Sequence, residues 1–435
     1  MMNIMKKRSM RRIFAGILCM GVLFTGAVPC SASAPLGYDE YGDPIVTATP
    51  VPDSQAGQST QAAVTHSAYY AQAADTDSID SWPTGPSIEA QAAVLMDVNT
   101  EAVLYSKNGD TQLYPASITK IMTSLLACEN ISKKSSIVVS ESAAASVSAG
   151  DSSIYAAAGE KFTRDQALMA VMLQSANEMS VAVAEKVSGS VKKFTELMNW
   201  RAKLFGCKNT HFNNPNGLPD ENHYTTASDM AKIAKSAWMN PLYRKFCTRR
   251  YYEIPPTNKF PEARQLLNHH KMIKNGEYYY EGVLGGKTGY TDASGNTLVT
   301  YCRHGNMTLV AVILNSTSAA NAYGDTASLF DYGFGNFEKT DMKVSMEPVP
   351  FKVLPCDKYI LKNNGNTYPF YYKTKVYVTL PKGIDKSQLT KRQAVLQNAA
   401  GPLRLKSKYY YKKQMVGWGM QYERNVVSDL LVQAS

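Results

Sequence analysis

Residues 282–316 constrain the fold more than any other part of the chain. The segments GVLGGKTGY (282–290) and GNTLVTYCRHGNMTLVAVILNS (295–316) combine β-branched, aromatic and apolar residues, as strands do. RHGN (303–306) is typical of a tight turn. This part of the sequence therefore predicts three strands, the last two of which form a hairpin.

Helices and a further hairpin are predicted before these strands. EAQAAVLMDVNTEAVLYSKN (89–108) is typical of two short strands around the turn DVNT. Apolar residues at helical spacing over 163–187 predict two helices separated by a loop at QSAN, and Thr163 is a plausible N-cap. Other helices are expected over 116–129, 228–238 and 318–334. The mixture of helices and strands indicates an α+β fold.

The first 34 residues have the composition of a secretory signal peptide. Five Lys and Arg residues precede an apolar run from Ile13 to Val28, which leads to the small residues SASA (31–34). Glycine and threonine residues interrupt this run, so we expect cleavage after Ala34 in preference to a membrane anchor. An exported protein is predicted, acting outside the cytoplasmic membrane.

Composition divides the rest of the chain into three parts. Residues 35–86 are rich in Ala, Ser and Gln, contain seven acids and no Lys or Arg, and are predicted to be a disordered linker. Residues 87–338 are predicted to form one domain. Residues 339–435 show short alternating runs typical of a separate all-β domain.

The C-terminal domain carries most of the positive charge. The whole chain has a net charge of +10, and residues 339–435 contain 17 basic and 6 acidic side chains. Such a surface favours an anionic polymer or a membrane surface, and a solvated face that aids solubility is an equal alternative. Nucleic acid is an improbable partner for an exported protein.

No metal or cofactor is predicted. Five of the seven cysteines remain after removal of the signal peptide, and the sequence contains neither CxxC nor HExxH. An odd, widely spaced set of cysteines indicates buried thiols. One disulfide is possible in an oxidising compartment, but the sequence does not select a pair.

The stretch YPASITK (114–120) contains a candidate nucleophile and base. Pro115 opens the predicted helix, so Ser117 and Lys120 share one helix face. An ordinary lysine is protonated at neutral pH, but burial, the helix N-terminus and a second cation all favour its neutral form. Alone the SxxK pattern is weak, since Ser190 and Lys193 repeat it.

Two further motifs make the pattern specific. SAN (175–177) lies between the two predicted helices, and KTG (287–289) lies at the end of a predicted strand. The order SxxK, SxN, KTG on these element types is far more selective than any one motif. SGN (294–296) is a second SxN match in the wrong position.

These motifs resemble those of the serine-type D-Ala-D-Ala carboxypeptidases, the low-molecular-mass penicillin-binding proteins. AQAAVLMD (90–97), FNNPNGLPDENHYTTASDMA (212–231) and GGKTGYTDASGNTLV (285–299) extend the resemblance to roughly residues 87–338. It implies an antiparallel sheet flanked by helices, with the active site between a helical lobe and the sheet edge, followed by a small all-β domain. The NNPNGLPDENH segment is interpreted as a structural turn without a catalytic role.

The resemblance also implies a role for each motif residue. Ser117 would be acylated, Lys120 would be its general base, and Ser175 would pass a proton to the leaving D-alanine. Asn177, Lys287, Thr288, Gly289 and Tyr290 would bind the substrate, with Lys287 and Thr288 at its terminal carboxylate and the backbone N–H groups of Ser117 and Tyr290 forming the oxyanion hole. The implied activity removes the terminal D-alanine from peptidoglycan stem peptides, and penicillin would inhibit it.

Three alternatives remain open. A β-lactamase shares the three motifs, but no ExxxN sequence that could supply a deacylating glutamate occurs between 178 and 286. A D,D-endopeptidase uses the same bond chemistry and is harder to exclude. A non-catalytic wall-binding protein would not need all three motifs intact.

Overall fold

The structure, a computed structural model, describes residues 65–273, 276–346, 349–352, 367–396 and 403–423. The predicted signal peptide, residues 35–64 of the predicted linker and the last 12 residues of the chain lie outside these ranges. Below, residues 65–336 are called the α/β region and residues 337–423 the C-terminal β region.

A five-stranded antiparallel sheet lies at the centre of the α/β region, with the strand order β2-β1-β9-β8-β7. Its strands are β1 (Ala92–Asp97), β2 (Val103–Lys107), β7 (Val283–Thr291), β8 (Gly295–His304) and β9 (Met307–Ser316), and two small hairpins add β3 (Ser136–Val138), β4 (Lys161–Thr163), β5 (Tyr251–Ile254) and β6 (Arg264–Leu267). All six residues of β1 are buried, as expected for an apolar strand covered on both faces. Both predicted hairpins are present, and Gly305 has the positive φ of 56° that a two-residue turn requires.

Helices cover both faces of this sheet. They are α1 (Lys120–Asn130), α2 (Glu141–Ala144), α3 (Arg164–Leu173), α4 (Asn177–Ser188), α5 (Val191–Leu204), α6 (Ala227–Trp238), α7 (Pro241–Cys247) and α8 (Ala319–Asn336). The predicted helix pair around QSAN is present, and Thr163 caps α3 through a reciprocal capping box with Gln166. Helix α5 was not predicted from the sequence, because its buried apolar stripe is narrow (Phe194, Met198 and Ala202) and lies among charged residues.

The folded chain begins before the predicted linker boundary at residue 86. Trp82 is only 6% exposed, and its Nε1 donates to the carbonyl oxygen of Leu104 at 2.8 Å. Ser106 Oγ donates to Asp75 Oδ2 at 2.8 Å. Residues 65–86 thus pack against β2, unlike the disordered linker predicted for this part. One aromatic anchor and a few carboxylate hydrogen bonds hold the segment without the apolar periodicity on which the prediction relied.

In the part that the structure describes, the regular secondary structure of the C-terminal β region consists of strands and one short 3₁₀ turn. Its strands are β10 (Phe337–Asp341), β11 (Val349–Lys352), β12 (Thr367–Tyr372), β13 (Tyr377–Pro381), β14 (Thr390–Leu396), β15 (Arg404–Tyr411) and β16 (Gln414–Glu423), all in one antiparallel sheet. The predicted fold class, an α+β antiparallel sheet flanked by helices and followed by a small all-β part, is confirmed.

Buried polar and aromatic contacts join the two regions. Thr379 Oγ1 in β13 donates to Asp97 Oδ2 at 2.8 Å and also lies 2.8 Å from Thr100 Oγ1. The Trp82 and Tyr411 rings stack at 6.3 Å. Because these groups are buried, separating the regions would break these hydrogen bonds and expose apolar surface to water.

Among the described residues, no helix has the length and apolar character to cross a bilayer. In the same ranges, no group of three or more His, Cys, Asp or Glu side chains could hold a metal ion. Cys128, Cys207, Cys247 and Cys302 are free thiols.

Candidate active site

Ser117 lies in a 3₁₀ turn, Ala116–Thr119, that leads directly into α1. Thr297 Oγ1 of β8 donates to the carbonyl oxygen of Pro115 at 2.9 Å and ties this turn to the sheet. Ala116 has a φ of 50°, a strained value for a residue with a Cβ. The fold therefore holds the Ser117 backbone firmly beside the edge strand β7.

Lys120 contacts the Ser117 side chain from one helical turn further on. Its Nζ lies 2.9 Å from Ser117 Oγ, 2.8 Å from Asn177 Oδ1 and 2.6 Å from the carbonyl oxygen of Asn216. The Lys120 side chain is fully buried. Three oxygen atoms thus orient the amine toward the serine hydroxyl, so the structure brings together the predicted nucleophile and base.

The surroundings of Lys120 favour its neutral form. Burial, and then the nearby positive charge of Lys287, lower the pKa of Lys120 well below its ordinary value of 10.5, against the weaker opposing effects of Glu178 and Asp151. A neutral amine has a lone pair that can accept the hydroxyl proton of Ser117. The site can therefore activate a serine without histidine.

The SAN motif lies between α3 and α4, as predicted. Ser175 has a φ of 57° and is 3% exposed, and its Oγ has no hydrogen-bond partner among the described residues. Asn177 begins α4, and its backbone N–H donates to the carbonyl oxygen of Ser152 at 2.9 Å. Ser175 is therefore held in a strained conformation with a hydroxyl free to bind or relay a proton.

The KTG motif lies on β7, next to the Ser117 turn. Lys287 is 2% exposed, and its Nζ donates to the carbonyl oxygen of Thr288 at 2.8 Å. Burial lowers the pKa of Lys287 to about 7. A Cβ on Gly289 would lie 2.8 Å from the Ser117 backbone nitrogen and 2.4 Å from Thr297 Oγ1. Only glycine allows the strand to come so close to the nucleophile.

Tyr290 follows on the same strand. Its side chain is 61% exposed, and its hydroxyl donates to Asp292 Oδ1 at 2.9 Å. The ring therefore lies at the open side of the sheet edge, and any contribution to the site comes through its backbone.

Comparison with known proteins identifies the family that shares this arrangement. Residues 79–318, more than half of the chain, match peptidase family S11, D-alanyl-D-alanine carboxypeptidase. The chain belongs to this carboxypeptidase family. The resemblance inferred from the motifs is thereby confirmed, and the chain is a serine-type D-Ala-D-Ala carboxypeptidase of the low-molecular-mass penicillin-binding class.

Individual relatives cover most of the chain. It is 33% identical to the D-alanyl-D-alanine carboxypeptidase DacF of Bacillus subtilis over 320 residues, which are 72% of this chain and 78% of that protein. Among solved structures, penicillin-binding protein 5 from Haemophilus influenzae superposes with a TM-score of 0.63 at 27% identity, covering 79% of this chain and 98% of that one. The Streptomyces K15 DD-transpeptidase gives 0.55 at 28% identity, covering 58% of this chain and 100% of its own.

The NNPNGLPDENH segment (213–223), which the sequence predicted to be only a structural turn, contributes to this carboxypeptidase site. Besides the Asn216 carbonyl on Lys120, the Pro215 carbonyl accepts from Thr123 Oγ1 at 2.6 Å. A Cβ on Gly217, whose φ is 89°, would lie 1.9 Å from the Ala116 carbonyl oxygen. The segment thus forms one wall of the Lys120 pocket. The sequence signal for this wall was a glycine and an asparagine within a turn that contains two prolines. The same composition is typical of a turn that has no role in a site.

A buried histidine supports this wall. Backbone N–H groups of Asn213 and Asn214 donate to His223 Nδ1 at 3.0 and 3.3 Å, so Nε2 carries the proton and donates to Thr119 Oγ1 at 2.8 Å. Burial lowers the pKa of His223 to about 4. His223 therefore stays neutral and links the turn segment to the start of α1.

Two further side chains near the motifs were not anticipated. Glu178, next to Asn177, accepts from Ser153 Oγ and the Ile154 backbone N–H, both at 2.8 Å, and so holds the segment beside the SAN motif. His270 is buried, and its Nε2 would lie 3.0 Å from a Cβ on Gly286. Glu178 thus ties residues 153–154 to the start of α4, and His270 leaves no room for a side chain at position 286, next to Lys287.

The second SxxK pair, Ser190 and Lys193, and the second SxN match, SGN (294–296), both have structural roles. Ser190 caps α5 by accepting from the backbone N–H of Lys193 at 3.2 Å. Ser294 Oγ accepts from the Thr291 backbone N–H at 3.0 Å in the turn between β7 and β8. Cys128 is no competing nucleophile, because burial raises the pKa of its thiol to about 12.

Proposed function

We propose that this carboxypeptidase is exported and removes the terminal D-alanine from peptidoglycan stem peptides through an acyl-enzyme on Ser117. The observation that carries this proposal is the 2.9 Å contact between Lys120 Nζ and Ser117 Oγ in a fully buried setting. Catalytic roles are proposed for Ser117, Lys120 and Ser175, and substrate-binding roles for Asn177, Lys287, Thr288, Gly289 and Tyr290.

Acylation begins with proton transfer from Ser117 to the neutral Lys120 amine. Ser117 Oγ attacks the carbonyl carbon of the penultimate D-alanine, and negative charge develops on the carbonyl oxygen. The backbone N–H groups of Ser117 and Tyr290 stabilise that charge. Strand β7 lies so close to Ser117 that only glycine fits at position 289. This short separation supports the two backbone N–H groups as a joint oxyanion hole.

Lys287 and Thr288 bind the terminal carboxylate of the substrate. A buried ammonium group without an anionic partner is costly, so substrates that supply a carboxylate are favoured. The same charge lowers the pKa of Lys120, so one side chain contributes both to specificity and to activation. Asn177 holds the peptide backbone while its Oδ1 orients Lys120.

The leaving D-alanine needs a proton on its amine nitrogen when the peptide bond breaks. Ser175 Oγ donates this proton and recovers one from the protonated Lys120. Its unpartnered, buried hydroxyl supports the role. Water then attacks the ester carbonyl of the acyl-enzyme and transfers a proton to the restored Lys120 amine. The ester bond to Ser117 Oγ breaks, Lys120 returns the proton to that oxygen, and the shortened peptide leaves.

The sequence and the Lys120 pocket favour a carboxypeptidase over a β-lactamase. No ExxxN sequence that could supply a deacylating glutamate occurs between residues 178 and 286, and the turn segment presents a carbonyl oxygen, that of Asn216, to Lys120. A backbone carbonyl oxygen does not take a proton from water as a carboxylate does. We therefore propose that penicillin acylates Ser117 and remains attached.

Localisation and surface binding are part of the same proposal. Residues 1–34 act as the signal peptide, residues 87–338 form the catalytic domain and residues 339–435 form a basic β domain. The 17 basic and 6 acidic side chains of the latter support loose association with an anionic wall polymer. If high salt fails to release the protein from purified walls, this association is refuted.

The experiment that tests the catalytic proposal is labelling with fluorescent penicillin. Wild-type protein and Ser117→Ala are incubated with the label, and D-alanine release from a diacylated peptide ending in D-Ala-D-Ala is measured on the same samples. We expect a stable adduct and D-alanine release from wild type only.

Each other outcome contradicts a different part of the proposal. Rapid release of the label would show a β-lactamase. Preferential cleavage of cross-linked dimers over free stem peptides would show an endopeptidase. The lack of any adduct on folded wild-type protein would leave a non-catalytic wall-binding protein.

A further inference from the structure

A cavity of about 450 Å³ lies between the α/β region and the C-terminal β region, away from Ser117. Helix α6 contributes Lys232 and Lys235 to its wall, and β15 contributes Lys406 and Lys408. Glu101, from the turn between β1 and β2, is the one carboxylate in the lining. The volume falls in the range of small-molecule binding sites.

The two lysines from α6 already have anionic partners. Lys235 Nζ lies 2.6 Å from Glu101 Oε1, and Lys232 Nζ lies 2.7 Å from Asp229 Oδ1. Asp229 also accepts from the backbone N–H groups of Lys208 and Asn209. Each of these carboxylates is therefore already paired with a lysine of α6.

The two lysines from β15 lack such partners. Both point to the same face of the strand and are partly buried, and neither forms an ion pair with a carboxylate among the described residues. Lys406 Nζ instead lies 4.5 Å from the centre of the Trp418 ring, which Lys235 also approaches at 5.9 Å.

Packing the four amines together is electrostatically unfavourable. Burial, with Lys408 and Lys235 nearby, lowers the pKa of Lys406 despite the opposing effect of Glu101. A ligand that brings negative charge into the cavity would relieve this repulsion. Ammonium groups are well suited to binding phosphate oxygens.

We propose that this cavity is a binding site for a phosphate group of a phosphodiester polymer, held by Lys406 and Lys408 together with the two α6 lysines. The inference deepens the proposed wall association by naming the site and the chemistry. It does not depend on the roles proposed for Ser117 and Lys120.

The shape of the site favours a polymer over a bilayer. The side chains of Lys235 and Lys232 are only 20% and 35% exposed, and walls from both regions enclose the amines. A flexible chain can place one phosphate in such a recess. Headgroups in a flat bilayer would reach only exposed cations. Because both regions line the cavity, a bound phosphate also links them and stabilises their contact.

The test measures binding of a soluble poly(glycerol phosphate) to the full-length protein at physiological ionic strength. Lys406→Gln/Lys408→Gln is compared with wild type and with Lys391→Gln/Lys413→Gln, which removes two exposed lysines of the same β region outside the cavity. We expect the cavity variant to bind about tenfold or more weakly, as when charged hydrogen-bond donors are lost, and the control pair to change much less. Thermal melting and D-alanine release are measured on each sample.

Two further probes decide the chemistry. Polyglutamate of similar length and vesicles of phosphatidylglycerol and phosphatidylcholine in equal parts are titrated in the same way. Equal losses in both double variants, or equal binding of polyglutamate, would overturn the proposal in favour of diffuse charge. Vesicle binding that depends on Lys406 and Lys408 would overturn it in favour of a membrane surface. If the cavity variant releases D-alanine at the wild-type rate, neither of these results bears on the catalytic proposal.

Discussion

The chain contains the SxxK pattern in two helix starts, and the two have different structures. At Ser117 the lysine Nζ contacts the serine Oγ at 2.9 Å, and the lysine is fully buried. At Ser190 the serine Oγ accepts the backbone N–H of Lys193, whose side chain is exposed. The first pair has the geometry of a nucleophile and base, whereas the second is an N-cap.

What differs is the environment and not the spacing. The Ser117 turn is enclosed by the edge strand β7, the SAN segment and the Asn216 turn, which remove water and add a second buried lysine. Ser190 begins a surface helix with none of these neighbours. A lysine becomes a base only where burial and a nearby cation oppose its protonation.

Among the substitutions that distinguish the two SxxK pairs, Lys120→Arg is expected to have the largest effect on activity. An arginine stays protonated in proteins and cannot accept the Ser117 proton. We expect the rate of D-alanine release and the rate of penicillin acylation to fall by about a thousandfold, within the range of general-base catalysis.

Lys193→Arg is the matched control for this substitution. It makes the same chemical change in the second SxxK pair and should leave both rates unaltered. Lys120→Met, with a circular dichroism spectrum, separates loss of the base from a folding defect caused by the larger arginine. A fully active Lys120→Met would contradict the assignment of the base.

A smaller loss is expected for Gly289→Ala. The new Cβ would lie 2.8 Å from the Ser117 nitrogen and must displace either β7 or the nucleophile turn. A shift of about an ångström in such a site typically costs a hundredfold in rate, so we expect roughly that loss in penicillin acylation. Gly324→Ala, where a Cβ meets open space, should be unaffected. Equal behaviour of the two variants would show that close approach of β7 is not required.

Lys287→Met should stabilise the protein while impairing substrate binding. Burial lowers the pKa of Lys287 from 10.5 to about 7, so the unfolded chain binds more protons than the folded one between these values. Wild-type stability therefore rises with pH in this window through Lys287. At pH 7 we expect the variant to be more stable by roughly 1–2 kcal/mol, with the difference shrinking toward pH 10. Denaturant unfolding at several pH values measures it, and a difference that grows with pH would refute the argument.

The smallest effect concerns the second SxxK pair. Ser190→Ala removes the N-cap of α5 and should lower the free energy of unfolding by about 1 kcal/mol. Denaturant unfolding checks this value. Because the role of Ser190 is structural, penicillin acylation should proceed at the wild-type rate, and slower acylation would mean that the two sites are coupled.

Much of the fold could be predicted because strong local signals coincided with tertiary contacts. The β7–β9 strands and the Thr163-capped helix each had both an apolar pattern and a turn or cap signal. Helix α5 and the segment 65–86 lacked such patterns, since a narrow stripe and a single tryptophan secure them.

The candidate site likewise contains some residues that the sequence predicted and others that it did not. Sequence motifs predicted every residue to which the proposed mechanism assigns a reacting side chain, because such side chains must be chemically specific. They did not bring out the Asn216 carbonyl, which any residue could supply, or the neutral His223, whose effect passes through Thr119. Groups that act through backbone atoms or through a neighbour leave little trace in a single sequence.

The most direct test of a neutral Lys120 base is the pH dependence of Ser117 acylation by penicillin. Initial acylation rates of the full-length protein, with the modified residue identified by peptide mapping, are measured across a pH series. We expect modification at Ser117, with a rate that rises with pH through a midpoint well below 10.5, the ordinary lysine value. The rate should fall again as Lys287, whose pKa burial lowers to about 7, loses the charge that binds the penicillin carboxylate. A rate that keeps rising through that value, or modification of any other residue, would contradict the proposed activation of Ser117 by Lys120.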